Sequence, residues 1–196
     1  MSRLKPLSMD TTPELKSHFD FFLGTLGFTP NSVLTMQRKP HLVKAFAQLN
    51  AAVMSPEGEV DLGFRRLIGH LASKASGCLY CQAHTLLGAQ NFGVSEEKMA
   101  AVWHYASSDL YSPAEKIALD FALAAASQPN AVTDELFADL SKHWSEGQIV
   151  EILGVVAMFG FLNRWNDSMA TPLEAVPLEV AKQAAGEQQF AAGKHV

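Results

Sequence analysis

The sequence predicts an all-α domain. Helix-start signals recur along its 196 residues, apolar residues between them fall three and four apart, and little strand-like alternation intervenes. Thr12-Pro13-Glu14 opens a first helix carrying Leu15, Phe19, Phe22, Leu23 and Leu26, which Gly27 ends. Asn31 or Ser32 opens a second, interrupted by Pro40. Pro40 suits the first turn of a third, through Leu42, Val43, Phe46, Leu49 and Val53. Asp61 is placed to cap a fourth, with Phe64, Leu67, Ile68 and Leu71 on one face. Ser76 is expected to cap a fifth, which stops near Gly93, and Ser95 begins a sixth. Ser112-Pro113-Ala114-Glu115 and Ser145-Glu146-Gly147-Gln148 read as capping boxes, and Thr133 begins the helix between them. After Thr171-Pro172 the chain turns polar and alanine-rich, and residues 176–196 are expected to form a loose arm.

The bulk numbers fit one globular domain over residues 1–196, with 48% apolar and 18% charged residues. A net charge of −5, with no basic run, gives no support for nucleic-acid binding. The longest apolar stretch, Ile149 to Leu162, carries Glu151 and is too short to span a bilayer, and the first residues lack the apolar core of a signal peptide. No membrane partner is expected, and a cytoplasmic location follows. The helix around Glu151 is apolar on all sides and is expected to be central.

The two cysteines of the chain both lie in Gly77-Cys78-Leu79-Tyr80-Cys81-Gln82-Ala83-His84-Thr85. In a reducing compartment such a pair is catalytic or metal-binding more often than structural. A helix N-terminus favours thiolate, the nucleophilic form. Cys81 and His84, three apart, share a helical face, so the imidazole is placed to deprotonate Cys81 or to hydrogen-bond a peroxide. Two buried cysteines acting as small hydrophobes is the bland alternative. Zinc needs four ligands and the motif offers at most three, so no metal is expected. Covalent haem attachment requires histidine where Gln82 stands.

This motif resembles the signature of the carboxymuconolactone decarboxylase/alkyl hydroperoxidase D (AhpD)-like superfamily, in its peroxidase-related branch. Supporting likeness lies in Gly27-Phe28-Thr29-Pro30-Asn31-Ser32, in Ser112-Pro113-Ala114-Glu115-Lys116 and in Phe161-Leu162-Asn163-Arg164-Trp165-Asn166-Asp167, covering residues 20–175. The resemblance implies an AhpD-like helical bundle assembled as a trimer or hexamer, and a thiol-dependent peroxidase. On that analogy Cys81 attacks a small peroxide, Cys78 closes a redox-active disulfide with it, and a dithiol protein or small thiol restores the pair, with no other cofactor. His84 belongs to the proton relay. A lactone-decarboxylase-like lyase and a non-enzymatic redox-sensing oligomer are the alternatives.

Two departures stand out. The pattern's histidine follows the second cysteine by four residues, where this chain has Thr85. The pattern's glutamate, twelve residues before the first cysteine, is replaced by Arg66. Glu151 is the expected substitute. Arg66-Leu67-Ile68-Gly69-His70-Leu71-Ala72 echoes Glu151-Ile152-Leu153-Gly154-Val155-Val156-Ala157, as if a helical unit were duplicated; Cys78 then falls opposite Asn163 and Cys81 opposite Asn166. Pseudo-symmetric packing would bring Glu151 to the thiols. An ion pair of Glu151 with Arg65, Arg66 or Arg164 is the alternative. Tyr80, His70, Arg66 and Thr85 complete the expected pocket. Asn163, Arg164 and Asp167 read as capping or oligomer contacts, and Trp103, His104 and Tyr105 as interface or core.

Overall fold

A computed structural model describes residues 2–185 and 190–196. Ten α-helices and no strand occur among them: α1 (Lys16–Leu26), α2 (Asn31–Met36), α3 (Pro40–Val53), α4 (Leu62–Ala75), α5 (Leu79–Asn91), α6 (Glu96–Ala100), α7 (Pro113–Ala126), α8 (Asp134–Ser141), α9 (Glu146–Met169) and α10 (Ala175–Ala185). Short 3-10 turns cover Met9–Thr11, Pro13–Leu15, Ala101–Ser107 and Gly193–His195. The expected caps at Asp61, Ser95, Thr133, Ser112 and Ser145 are in place, the last two as full capping boxes. Each satisfies backbone N–H groups that a helix start leaves without partners.

The α4–α5 junction corrects one expectation. Ser76 does not cap α5; it is the right-handed C-cap of α4. Gly77 then takes φ +72, a left-handed conformation that glycine adopts without a Cβ penalty. Its N–H reaches the Lys74 carbonyl, and the Cys78 N–H reaches that of Ser73 at 3.0 Å, together a Schellman motif. Cys78 therefore ends α4 and also caps α5, its sulfur accepting the Cys81 N–H at 3.4 Å.

α4 lies at the centre, packed on α5, α7 and α9. At Gly69 a Cβ would come within 2.4 Å of the Phe159 ring, so glycine permits the close approach of α4 and α9. α9 packs on α3, α4, α5, α7 and α8, yet it is not apolar and buried all round. Val150, Leu153 and Phe161 leave an exposed apolar stripe along it.

The expected loose arm is not loose where it is described. α10 buries Pro177, Val180 and Ala181 and packs against α5 and α6. The Gly193–His195 turn also returns to α5. Residues 186–189 of that expected arm lie outside the described residues.

Candidate active site

Six segments converge on one narrow cavity of about 60 Å³. Its polar lining is Ser32, Asn50, Arg66, Tyr80, Cys81, His84 and Asn166, and its walls are largely apolar, with Phe22, Leu26, Val33, Phe46, Met158, Phe159 and Leu162 among them. By a measure in which one water takes about 10–15 Å³, this is room for a few waters or one small molecule.

Both thiols are free and buried. They differ in what they face: Cys81 lines the cavity, and Cys78 lies outside its lining. Asn166 of α9 donates its amide to the Cys81 sulfur at 3.4 Å. Burial pushes the Cys81 thiol well above the ordinary range, and its contact with Cys78 pushes the same way; the Asn166 bond opposes both. Cys81 is therefore a thiol at rest, and ionisation needs a base.

His84 borders the same cavity. Its Nε2 lies 2.7 Å from Oε2 of Glu174, the residue immediately before α10. The imidazole stacks on Tyr80, with ring centres 4.3 Å apart, and meets Phe28 edge-on. Glu174 takes two further bonds on its other oxygen, from the Tyr80 hydroxyl at 2.9 Å and the Asn31 N–H at 2.5 Å. Burial favours the neutral Glu174 acid, but His84 and the backbone N–H groups of Asn31 and of Glu174 itself outweigh it and hold the carboxyl below its usual range. Burial, then the facing carboxylate, raises the Tyr80 phenol well above its usual range. An ionised Glu174 accepts the Nε2 hydrogen of His84, which leaves Nδ1 as the basic nitrogen.

The carboxylate at the site is thus Glu174, and the expectation for Glu151 does not hold. Glu151 accepts the N–H groups of Glu59 and Val60, both at 2.9 Å, and pairs with Arg65 at 3.4 Å. It is committed to the loop before α4 and is absent from the cavity lining. Burial opposes its ionisation, and the two backbone bonds with Arg65 more than compensate.

Tyr80 and Arg66 do line the cavity, whereas His70 and Thr85 do not. Arg66 runs past Gly88 and places its guanidinium over the Phe92 ring at 5.5 Å, with burial lowering it to about 10. His70 shares Nδ1 between the Gln82 carbonyl and the Thr85 hydroxyl, both at 3.1 Å, and meets Trp103 edge-on. Thr85 turns back onto the carbonyls of Cys81 and Gln82.

Three residues near the thiols escaped the sequence reading: Asn166, Glu174 and His195. The repeat did set Asn166 opposite Cys81, and the two touch, but its meaning was not visible without the packing of α9 on α5. Among the described residues, one trio of possible metal-binding groups lies close together, Cys78, Asp167 and His195, within 4.8 Å of one another. Three donors fall short of a structural zinc set, and Lys194 already sits 2.7 Å from Asp167.

An all-α bundle with two free thiols at a helix N-terminus, beside a carboxylate-held histidine, defines the class of CxxC helical proteins. Residues 40–124 match the model of the carboxymuconolactone decarboxylase family. The crystal structure of the debrominase Bmp8 is 33% identical, with TM-score 0.86, across 92% of this chain and 96% of that one. A cysteine-to-alanine variant of Bmp8 in complex with 2,3,4-tribromopyrrole aligns at 32% identity and TM-score 0.88, over 94% and 98% of the two chains. An uncharacterized peroxidase-related protein from Ralstonia eutropha JMP134, described as an alkylhydroperoxidase AhpD core, shares the fold at 23% identity and TM-score 0.78 over 94% and 97%. The uncharacterized protein YdfG of Bacillus subtilis (strain 168) is 29% identical over 111 residues, 56% of this chain and 74% of its own. The chain belongs to the carboxymuconolactone decarboxylase family.

Proposed function

We propose that this protein is a thiol-dependent reductase of small organic hydroperoxides. The observation that carries the reading is the division of the thiols: Cys81 faces an apolar-walled cavity bordered by His84, and Cys78 stands behind it. An alkyl hydroperoxide suits such a cavity, its hydrocarbon part against Phe22, Leu26, Phe46 and Phe159 and its oxygens toward Cys81 and His84.

His84 takes the Cys81 proton through Nδ1, directly or by a cavity water. The thiolate attacks the terminal peroxide oxygen; the O–O bond breaks, and the alkoxide leaves as the alcohol with the proton from His84. Cys81 is now a sulfenic acid. Cys78 attacks its sulfur, the S–O bond breaks, water departs, and the disulfide is formed. An external dithiol reduces it by exchange. The cycle consumes one hydroperoxide and one dithiol and suits a reducing compartment such as the cytoplasm. A second copy of the chain in a homo-oligomer would cover the exposed stripe of Val150, Leu153 and Phe161.

A second reading is reductive dehalogenation of a small halogenated aromatic, favoured by the similarity to the debrominase. The balance is the same two electrons: carbon–halogen bond and two thiols become carbon–hydrogen bond, halide, a proton and the disulfide.

Turnover of cumene hydroperoxide and of 2,3,4-tribromopyrrole, each with excess dithiothreitol, tests both. Hydroperoxide turnover abolished by Cys81→Ser supports the first reading, and bromide release without it supports the second. A disulfide that forms once without turnover points to a redox sensor, and turnover that survives Cys81→Ser sinks the thiol mechanism.

A further inference from the structure

His195 takes no part in the relay between Glu174 and His84, yet its ring is buried close to Cys78. Its Nδ1 lies 2.8 Å from the Thr171 carbonyl. A carbonyl can only accept, so Nδ1 carries the hydrogen and Nε2 carries the lone pair. That Nε2 has no hydrogen-bond partner among the described residues. One ring nitrogen of His195 lies within 4.8 Å of the Cys78 sulfur, and Nε2 is 3.8 Å from Oδ1 of Asp167. A lone pair set against a carboxylate is repulsive. A proton on that nitrogen, taken from the nearby thiol, turns the same contact into an attraction.

We propose that His195 is the proton acceptor for Cys78, so that the resolving thiol has its own base, separate from the His84 that serves Cys81. The assignment of Cys78 as the resolving thiol rests on the function proposed above. In the step, the Cys78 S–H bond breaks and its proton moves to His195 Nε2. The thiolate attacks the Cys81 sulfenic sulfur. The S–S bond forms, the S–O bond breaks, and the leaving hydroxide departs as water with the proton from His195.

The surroundings suit that task. The Leu173 N–H holds the His195 carbonyl at 2.8 Å. Gly193 places the turn against Leu79, the first residue of α5; a Cβ on it would meet that side chain at 2.9 Å. The groups facing the imidazole are Cys78 at the start of α5, Tyr80 two residues on with ring centres 5.9 Å apart, Asp167 on α9, and Lys194 beside it. Burial lowers the imidazole below its ordinary range, as does Lys194, while the Thr171 bond and Asp167 act the other way; the balance leaves it neutral and able to accept. Once protonated, it faces the Asp167 carboxylate.

The test uses Cys81→Ser protein, in which Cys78 is the one remaining thiol. Ultraviolet thiolate absorbance is followed against pH with and without His195→Asn, whose amide nitrogen can keep the Thr171 bond while Nε2 is lost. The absorbance curve is expected to move to higher pH by about one unit, a tenfold change in thiolate at a given pH. Nitrogen NMR of the histidines in the same protein, with His195 intact, needs no substitution at this position. The Nε2 signal of His195 is expected to change over the pH range in which the thiolate appears. Identical curves, or an Nε2 signal indifferent to Cys78, would overturn the assignment. So would a bound zinc ion whose removal with EDTA abolishes the dependence on His195. Neither readout uses a peroxide. A protein that reduces no hydroperoxide but keeps the His195 dependence refutes the peroxidase reading alone, and an active protein without the dependence refutes this one alone.

Discussion

Glu174 holds His84 across ninety positions of chain through a 2.7 Å bond, and with its other oxygen it takes the Tyr80 hydroxyl. The arrangement fixes the imidazole tautomer and keeps its basic nitrogen at Nδ1. Glu174→Gln retains size and removes the charge. It is expected to lower kcat/KM for hydroperoxide about a hundredfold, as for loss of a general base. His84→Gln should cost a similar factor, and the double variant little more than either, because the two act as a unit. Losses that multiply in the double variant would show that they act separately. The carboxyl is depressed in the folded protein, so its stabilising contribution is present above the unfolded carboxylate range and disappears as pH falls through the folded value. The melting-temperature deficit of Glu174→Gln should therefore shrink in acid.

The two cysteines are not equivalent, because Cys81 alone of the pair lines the cavity. Cys81→Ser should abolish reaction with hydroperoxide. Cys78→Ser should still consume one equivalent and stop at the Cys81 sulfenic acid, which dimedone traps and intact mass records. Dimedone labelling at Cys78 in the Cys81→Ser protein would reverse the assignment.

The helical architecture and the thiol pair were legible because they are local. Capping residues satisfy backbone groups three positions away, and CxxC with its histidine spans under two helical turns. The carboxylate was not legible, because the repeat pointed to Glu151 by sequence analogy. Arg65 explains why Glu151 went elsewhere. This guanidinium is almost fully buried and already bonds the carbonyls of Val53, Ser55 and Val60, and Glu151 supplies the remaining charge. Glu174 and His195 come from a stretch whose composition reads as a loose arm, and nothing in its periodicity shows that it folds back over α5. The Schellman turn that makes Cys78 its own helix cap depends on Gly77, and a serine beside it offered a more ordinary cap.

Glu151 and Glu174 make opposite predictions. Glu151→Gln leaves the buried Arg65 without its counter-charge, and should cost about 1–3 kcal/mol of stability by urea denaturation. Its kcat/KM per folded molecule should match the wild type, because Glu151 does not line the cavity. A loss of activity comparable to that of Glu174→Gln, at intact stability, would return Glu151 to the relay.

His70 sets the acid behaviour of the fold. Burial lowers it from 6.5 to about 4; Lys74 adds to the shift, and the Gln82 carbonyl opposes it. Because the folded value is the lower one, the unfolded chain takes up the proton first. Stability is fully present above pH 6.5 and falls as pH drops from there to about 4. At 1.36 kcal/mol per unit, the loss amounts to about 3 kcal/mol. His195, also held low by burial, adds to the loss in this region, so the slope must be assigned by difference. Denaturant unfolding of wild type and His70→Gln at pH values spanning that interval isolates the His70 share. The variant should be less stable at neutral pH, because it loses the packing on Trp103. It should also lose less on acidification, so that the two curves converge. Parallel curves would mean that His70 titrates alike in the folded and unfolded chains.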